Sequence, residues 1–426
     1  MHGAALNTFQ RSLGENGWTG GQYSVFRVLL GGYLLAWFVG VLGGLGDVVS
    51  VPGLAFETAA AVALTDLFPN ILHVIDKPVM AAVLGWFAVA ASVAFMLGWR
   101  DRMAALVMCY VIACLVGGGL VEVKPSLPYV WWMLLATAWF GPGAFGSLAA
   151  RGRIDPDGGW AFPPVIYAAA WLALAVGYGV GGYLKFVDPA WIDGLAVRRM
   201  LEGSAARPTP IREWLLAMPV ALKGIAWGGI ALELLFLPLA LVRRIRPYLW
   251  LGMAAVHVGV LVVLDAAEVS LGVLLVHAMT FDPAWIRPAM RDARDLVFYD
   301  GHCGLCQGGV RFVLAESRLN DAFTFSPLQG ERIRLEVSEA VRASLPDSMI
   351  VKTEDGRLLA QSDVVIRLAS RLGGLWRLVA IGGRFIPRPI RDAIYSVIAK
   401  SRRHLFAKPT DVCPMMPPAL RERFVG

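Results

Sequence analysis

The stretch LVFYDGHCGLCQGGVRFVLAES, residues 296–317, decides the fold of the C-terminal part of this chain. Its first residues have the apolar composition of a buried strand, and Gly301 then turns the chain. Cys303 and Cys306 follow at the start of a predicted helix. A strand, a turn and a Cys-x-x-Cys pair in this order predict a soluble α/β domain with a thiol–disulfide redox site.

The two cysteines have different expected roles. Cys303 stands where unpaired backbone N–H groups and the positive end of the helix dipole stabilise a thiolate, so we expect it to be the attacking thiol. Cys306, one turn further, would then resolve the mixed disulfide. Asp300 and His302 flank the site, and a protonated His302 would add positive charge there.

Half of a zinc site is the alternative interpretation of the cysteine pair. It needs two more soft ligands, which Cys413 and His404 are available to supply. Neither belongs to a second paired motif, and the Cys-x-x-Cys pair stands at a strand-to-helix junction. We therefore expect a redox site and no metal.

The sequence after the cysteines continues the α/β pattern. AFTFSPL, residues 322–328, predicts a second strand, and residues 348–362 predict a hairpin that turns at Asp355-Gly356. A helix is predicted over 363–372. Residues 376–406 then form a basic amphipathic stretch, interrupted by a Pro-Arg-Pro run.

The sequence before the cysteines is that of a membrane protein. Of the 426 residues 57% are hydrophobic and only 17% charged, and the charges are concentrated after residue 287. Because a span needs about 20 apolar residues, we predict a multi-pass α-helical bundle of about eight transmembrane helices, near residues 22–47, 78–98, 103–121, 128–148, 163–187, 218–242, 247–265 and 266–284. Residues 51–75 are interrupted by charges and are assigned to the interface. The predicted parts are a helical membrane domain at 1–286, a linker at 287–294 and an α/β domain at 295–426.

Arginines collect in alternate loops of the predicted bundle. Because basic residues stay on the cytoplasmic side of short loops, we expect a multi-pass protein of the inner or plasma membrane with both termini and the redox domain in the cytoplasm. The net charge of +7 is attributed to these residues, which meet anionic lipid. We expect membrane lipid as a partner and no nucleic acid. The first apolar run contains Arg27 and is too long for a cleaved signal, so it is expected to remain as an anchor.

Four ionisable residues fall inside predicted spans. Such residues are costly in lipid and mark a polar site or pathway; they are Arg27, Lys185, Glu233 and His257. Arg27 is expected to extend to the interface, whereas His277 is expected to be simply interfacial. Glu233 and His257 lie deeper on consecutive helices and are expected to meet, either in a functional site or in a hydrogen-bonded pair that only fixes packing.

The C-terminal domain resembles a known family. LVFYDGHCGLC, SMIVKTEDGRLLAQSDVVIRLASRLGGLWRL and FIPRPIRDAIYSVIAKSRRHLF together resemble the DCC family of thiol–disulfide oxidoreductases over 295–426. The resemblance implies a thioredoxin-like fold and redox exchange with a protein or small-molecule thiol or disulfide. Cys413 falls where such proteins often carry another cysteine, so it is either a resolving or regulatory thiol or a tail residue.

The helical part also resembles a family. SVFRVLLGG, MLGWRDR and GYLKFVDPAWIDG are similar to segments of the horizontally transferred transmembrane (HTTM) family, which includes the vitamin K-dependent gamma-carboxylase. The resemblance implies that Lys185 corresponds to a base that reacts with a quinone-type cofactor. However, Lys185 lies one residue further from Trp191 than in that pattern, and KPSLPYV lacks the histidine expected before its tyrosine. Both departures weaken gamma-carboxylation and leave a quinone or lipid-like ligand as the expectation.

Three functions follow from these patterns. The leading hypothesis is a membrane-bound thiol–disulfide oxidoreductase whose cytoplasmic Cys-x-x-Cys site is coupled to quinone or lipid-like chemistry in the bundle. The second is a transporter or membrane anchor with a redox-sensing domain. The third is a gamma-carboxylase-like modifying enzyme that depends on Lys185.

Overall fold

A computed structural model describes residues 14–50, 69–75, 77–265, 267–289, 294–317, 322–405 and 416–425. The chain divides into two compact units. The first, here called the helical unit, consists chiefly of Phe26–Phe140 and Phe162–Phe281. The second, here called the sheet unit, consists of Gly17–Val25, Gly141–Ala161 and Asp282–Gly426.

The helical unit is built from apolar helices. Those described are, in chain order, α1 (Gly20–Ser50), α2 (Lys77–Leu97), α3 (Asp101–Gly117), α4 (Leu127–Thr137), α5 (Pro164–Val187), α6 (Pro189–Ile192), α7 (Leu195–Glu202), α8 (Pro210–Leu216), α9 (Pro219–Leu234), α10 (Phe236–Ala240), α11 (Arg246–Val263) and α12 (Ala267–Thr280). The first residues of α1 group with the sheet unit.

Four of the described helices are long and apolar enough to cross a membrane: Gly20–Leu45, Pro78–Leu97, Pro164–Val187 and Arg246–Val263. A fifth candidate is the pair α8 and α9, bent by 99°, if the two form one broken span. Helices α3, α4 and α12 fall within predicted spans but have only 17, 11 and 14 residues. The protein therefore carries membrane-spanning helices, and the number eight stays a prediction.

Two predicted helices differ from those observed. The helix predicted over 128–148 ends at Thr137, because Pro142 lacks an N–H and because Gly143 and Gly146 adopt left-handed backbone conformations, with φ of 76° and 87°. The helix predicted over 218–242 breaks at Leu235.

The break at Leu235 has a local cause. Pro238 cannot donate a backbone hydrogen bond, and its ring clashes with the carbonyl four residues earlier, that of Leu234, where α9 ends. Of the segment predicted to be interfacial, residues 51–68 lie outside the described residues. Ile71–His73 forms one 3-10 turn, capped by the side chain of Asn70.

The sheet unit has a β-α-β-α-α-β-β-α core followed by further helices. Its elements are β1 (Asp295–Tyr299), α13 (Gly304–Glu316), β2 (Phe323–Pro327), α14 (Arg332–Glu336), α15 (Glu339–Ser344), β3 (Ile350–Lys352), β4 (Leu358–Ala360), α16 (Ser362–Leu372), α17 (Gly374–Arg384), α18 (Arg388–Leu405) and α19 (Pro418–Arg421). The strand order is β2-β1-β3-β4. β1 and β2 are parallel, whereas β3 pairs antiparallel with both β1 and β4.

The register places Val297 of β1 opposite Phe325 of β2 and Val351 of β3. These three residues belong to the apolar cluster on the sheet face that α13 and α16 cover, and the same cluster contains Cys303 and Cys306. The opposite face carries a smaller cluster around Phe298, Ile333, Val337 and Ile350. Alternation along each strand thus gives the sheet two buried faces.

Two segments distant in sequence complete the sheet unit. In the loop segment Gly141–Ala161, Phe145 packs against Phe312 of α13, with ring centroids 5.9 Å apart. Within the N-terminal segment, Tyr23 stacks on Trp160 at 4.9 Å. The core of this unit therefore includes residues from the beginning and the middle of the chain.

Candidate functional site

The two cysteines lie at the carboxyl end of β1, a central strand. Cys303 is the N-cap of α13, and its Sγ accepts a hydrogen bond from the backbone N–H of Cys306 at 3.3 Å. A sulfur thus takes the place of the oxygen that usually caps a helix. Both residues are thiols rather than a disulfide. The structure therefore brings the two predicted redox residues together at a helix N-terminus, where a thiolate is stabilised.

The turn before α13 is fixed by side chains. Asp300 Oδ1 accepts hydrogen bonds from the N–H of His302 at 3.0 Å and from Nε2 of Gln329 at 2.8 Å. The N–H of Gly301 donates to Gln329 Oε1 at 3.1 Å, and Gln307 Nε2 donates to the Gly301 carbonyl at 2.9 Å. Asp300, predicted to flank the site, therefore holds the turn that presents Cys303.

Both cysteine residues are buried. Cys303 is 7% exposed and Cys306 4%, whereas the side chain of His302 points to solvent. Met416 lies in the same apolar cluster as both cysteines. Cys413 and the side chain of His404 lie outside the described residues, so their predicted roles are not addressed. Among the described side chains, no three of His, Cys, Asp and Glu are grouped as a metal site needs.

The far end of the cysteine helix holds a buried carboxylate. Glu316 accepts hydrogen bonds from the N–H of Gly21 at 2.8 Å, from Trp376 Nε1 at 2.6 Å and from the hydroxyl of Thr19. Burial raises the pKa of Glu316 above its usual value, and the three donors oppose this rise. Because Thr19 immediately precedes α1 and Gly21 is its second residue, Glu316 caps the N-terminus of a helix that is long and apolar enough to span a membrane.

Arg311, one turn before Glu316, binds the loop segment of the sheet unit. Its guanidinium donates to the carbonyl of Arg153 and to that of Ile154 at 3.3 Å. Burial lowers the pKa of Arg311, and Asp155 opposes this effect. The cysteine helix thus contacts both distant segments of its unit.

The helical unit contains an ion pair between α5 and α9. Lys185 Nζ lies 2.5 and 2.6 Å from the two carboxylate oxygens of Glu233, and 5.1 Å from the ring centroid of Trp191. Gly182 permits this close approach, since a Cβ there would lie 2.9 Å from Glu233 Cβ. The partner of Glu233 is therefore Lys185, on a helix earlier in the chain, rather than the expected His257.

His257 belongs to a second polar group. Tyr178 Oη lies 3.0 Å from His257 Nε2 and 2.6 Å from His277 Nε2. The Nδ1 atoms of both histidines are buried and have no hydrogen-bond partner among the described residues. His277 is 1% exposed and belongs to this buried group, and its position at a membrane interface stays a prediction. Tyr178 was not among the predicted residues because its side chain carries no charge. Its hydroxyl within an apolar helix is the sequence signal that indicates a polar site.

The extension of Arg27 to the membrane interface stays a prediction. Its side chain is buried within the protein, with 1% exposed. The reason is helical periodicity, which places Arg27 on the side of α1 that carries the buried Tyr23, Leu30 and Leu34.

Comparisons with known proteins identify the class of the sheet unit. The family model of the DCC1-like thiol-disulfide oxidoreductase matches residues 297–408. The uncharacterized protein YuxK of Bacillus subtilis (strain 168) is 30% identical over 130 residues, which cover 30% of this chain and 93% of that protein. The chloroplastic DCC family protein At1g52590 of Arabidopsis thaliana is 30% identical over 124 residues, 29% of this chain and 71% of that protein. No solved structure matches significantly.

A cysteine pair at a strand-to-helix junction and these similarities define a thiol–disulfide oxidoreductase-like domain. Through this domain the chain belongs to the DCC1-like family. The family model leaves the helical unit outside its range, so the resemblance of that unit to the HTTM family stays a prediction.

Proposed function

We propose that the protein is a membrane-bound thiol–disulfide oxidoreductase in which Cys303 attacks and Cys306 resolves. The single observation that carries this proposal is the position of Cys303 Sγ as the N-cap of α13, accepting the N–H of Cys306. The strand order β2-β1-β3-β4, with β1 parallel to β2 and β3 antiparallel to β1, is the thioredoxin-like arrangement and supports the assignment. We place this domain in the cytoplasm on the basis of the arginine-rich loops.

The reaction proceeds in two exchanges. The Cys303 thiolate attacks one sulfur of a substrate disulfide, forming a mixed disulfide and releasing the other sulfur as a thiolate that takes up a proton. The Cys306 thiolate then attacks Cys303 Sγ, which forms the Cys303–Cys306 disulfide and releases the second substrate thiol. The substrate gains two electrons, the domain loses two, and an external dithiol restores the reduced state.

Because Cys303 is the N-cap of α13 and Cys306 lies within the helix, separate variants distinguish the attacking from the resolving thiol. With the full chain in detergent, a peptide disulfide as substrate and dithiothreitol as reductant, Cys303→Ser lowers turnover to the rate of dithiothreitol alone. Without dithiothreitol, Cys306→Ser accumulates mixed disulfides visible by mass spectrometry. Cys109→Ser, at a buried thiol of α3, is the matched control and leaves turnover intact. Turnover by Cys303→Ser above the rate of dithiothreitol alone overturns the proposal.

A second function is favoured by the polar group around Tyr178. Two buried imidazole Nδ1 atoms inside an apolar bundle suit a ligand that accepts or donates hydrogen bonds, and we infer a quinone or lipid-like ligand there. The ion pair argues against a gamma-carboxylase-like role, since an ammonium that donates to Glu233 has no lone pair on Nζ to act as a base. The proposal makes the helical unit a ligand site rather than only an anchor.

The ligand proposal is tested by mass spectrometry of solvent extracts from the purified full chain. A quinone or lipid-like compound that co-purifies in equimolar amount supports it, and Tyr178→Phe reduces the retained amount. Tyr183→Phe, at an exposed tyrosine of the same helix, is the matched control. Equal retention by both variants contradicts the assignment. Dithiol-dependent solute flux in proteoliposomes without a bound compound favours the transporter instead.

A further inference from the structure

Helix α18 is amphipathic, but its polar side faces the domain. Asp392 Oδ1 accepts a hydrogen bond from the hydroxyl of Ser362 at 2.5 Å. Tyr395 Oη accepts one from the backbone N–H of Met349 at 3.3 Å. An amphipathic helix on a globular domain normally turns its apolar side to the core. The apolar side of α18 is therefore left outward.

The outward side is a continuous stripe. Ile390, Ile394, Val397 and Ile398 recur at helical spacing and are 53%, 53%, 69% and 49% exposed. Residues at these spacings share one helix face. The four residues thus form one apolar face of α18.

The stripe continues across the corner between α17 and α18. Phe385, at this corner, is 84% exposed and Ile386 is 41% exposed. Helix α17 adds the exposed side chains of Leu378, Val379 and Ile381. We call the exposed apolar residues of α17, α18 and the corner the docking surface. Exposed apolar residues concentrated on two consecutive helices of a folded domain are typical of an interaction site.

The charge of this segment is strongly positive. Gly374–Leu405 contains one acidic residue, Asp392, against seven basic ones, which are Arg377, Arg384, Arg388, Arg391, Lys400, Arg402 and Arg403. Asp392 is turned toward Ser362, and Arg388 and Arg391 pair with Asp363 of α16, which leaves the segment with a net positive charge. An exposed apolar stripe with basic flanks is the pattern of a helix that lies in the plane of an anionic lipid interface. A second copy would instead bring like charges together.

Helix α17 begins beside the first residues of α1, which belong to the sheet unit. The N–H of Leu375, in the first turn of α17, donates to Gln22 Oε1 at 3.0 Å. Gln22 is the third residue of α1, whose Gly20–Leu45 is a candidate span.

We propose that the docking surface binds an anionic phospholipid surface, with its apolar residues among the upper acyl chains and the exposed basic residues Arg384 and Lys400 at the headgroups. The sheet unit then has an attachment to the membrane besides its covalent connection to the spanning helices. This proposal does not depend on the redox activity.

The test uses the full chain in lipid nanodiscs that contain a phospholipid with a diazirine near its headgroup. After illumination, mass spectrometry maps the lipid adducts. Adducts are expected on residues 378–398 in phosphatidylglycerol nanodiscs, with fewer in phosphatidylcholine. Combining Ile394→Glu with Val397→Glu reduces their yield about tenfold, since two apolar anchors are lost. Leu335→Glu, at a 78% exposed site on α14, is the matched control and leaves the yield unchanged.

A second variant removes charge instead of apolar surface. Arg384→Gln combined with Lys400→Gln keeps the apolar stripe and lowers the yield only in phosphatidylglycerol. Absence of adducts on residues 378–398 of the unmodified chain overturns the proposal. If an added amine-reactive crosslinker joins two copies through Lys400 and no lipid adducts form on this segment, the proposal is also overturned and the surface is assigned to a second copy.

Discussion

The carboxylate of Glu316 accepts a hydrogen bond from the backbone N–H of Gly21, 2.8 Å away and 295 positions earlier in the chain. Glu316 ends the helix that Cys303 begins, and Gly21 lies in the first turn of α1. A Cβ at position 21 would lie 2.5 Å from Glu316 Oε1, so glycine is required for this approach. A hydrogen bond thus links the C-terminal end of α13, the cysteine helix, to the first turn of α1.

This relationship predicts a stability loss in Glu316→Gln. The amide keeps one acceptor but turns an NH2 group toward N–H and O–H donors, leaving buried groups unsatisfied. We expect a loss of about 1–3 kcal/mol in the free energy of unfolding. Thermal unfolding of the full chain measures it, and faster hydrogen exchange at residues 19–22 locates it. Glu422→Gln, at an exposed glutamate, is the control; an equal effect at both sites contradicts the prediction.

The same carboxyl predicts a pH dependence. Burial raises the pKa of Glu316, so the folded state binds its proton more tightly than the unfolded state, in which the pKa is near 4.5. The stability from this group is fully present below the unfolded pKa and is lost as pH rises through the folded pKa. Melting temperatures above pH 4.5 are expected to fall less steeply in Glu316→Gln than in the unmodified chain. If the melting temperature falls more steeply with pH in Glu316→Gln than in the unmodified chain, the predicted direction of the pKa shift is contradicted.

The hydrogen bonds of Arg311 predict that its substitution loosens the loop segment Gly141–Ala161. Its guanidinium reaches two carbonyls, those of Arg153 and Ile154, whereas a lysine ammonium cannot span both in the same geometry. In Arg311→Lys we expect amide hydrogen exchange at residues 152–155 to be about fivefold faster, as expected for one hydrogen bond of about 1 kcal/mol. Arg334→Lys, at an exposed site on α14, is the control. Unchanged exchange in Arg311→Lys shows that other contacts hold the loop.

The sequence predicts the local structure of the sheet unit well. The strand at 322–328 is observed as Phe323–Pro327, the hairpin turns at Gly356 with φ of 82°, and the helix at 363–372 is Ser362–Leu372. Each has a signal within a few residues: alternation, an Asp-Gly turn or a helical period. The cysteine pair is placed by the same kind of signal.

Contacts between distant segments were not predictable in this way. Nothing in the sequence around Gly21 or Glu316 indicates that the two meet, because a hydrogen bond across 295 positions leaves no periodic trace. The partner of Glu233 was misjudged for a related reason: proximity in sequence suggested His257, whereas helix packing brings Lys185. Predicting such pairs requires the arrangement of the helices, which the hydropathy of each helix does not contain.

The Lys185–Glu233 pair predicts strong coupling in the helical unit. Their side chains are only 27% and 12% exposed, so removing one partner leaves a poorly solvated charge. We expect Lys185→Met and Glu233→Gln each to destabilise more than half as much as both together, with a coupling energy of about 1–3 kcal/mol in unfolding by detergent titration. The control is the Arg198–Glu202 pair, with side chains 47% and 48% exposed, for which about 0.3–0.5 kcal/mol is expected. Equal coupling in the two pairs would show that burial adds nothing to the Lys185–Glu233 interaction.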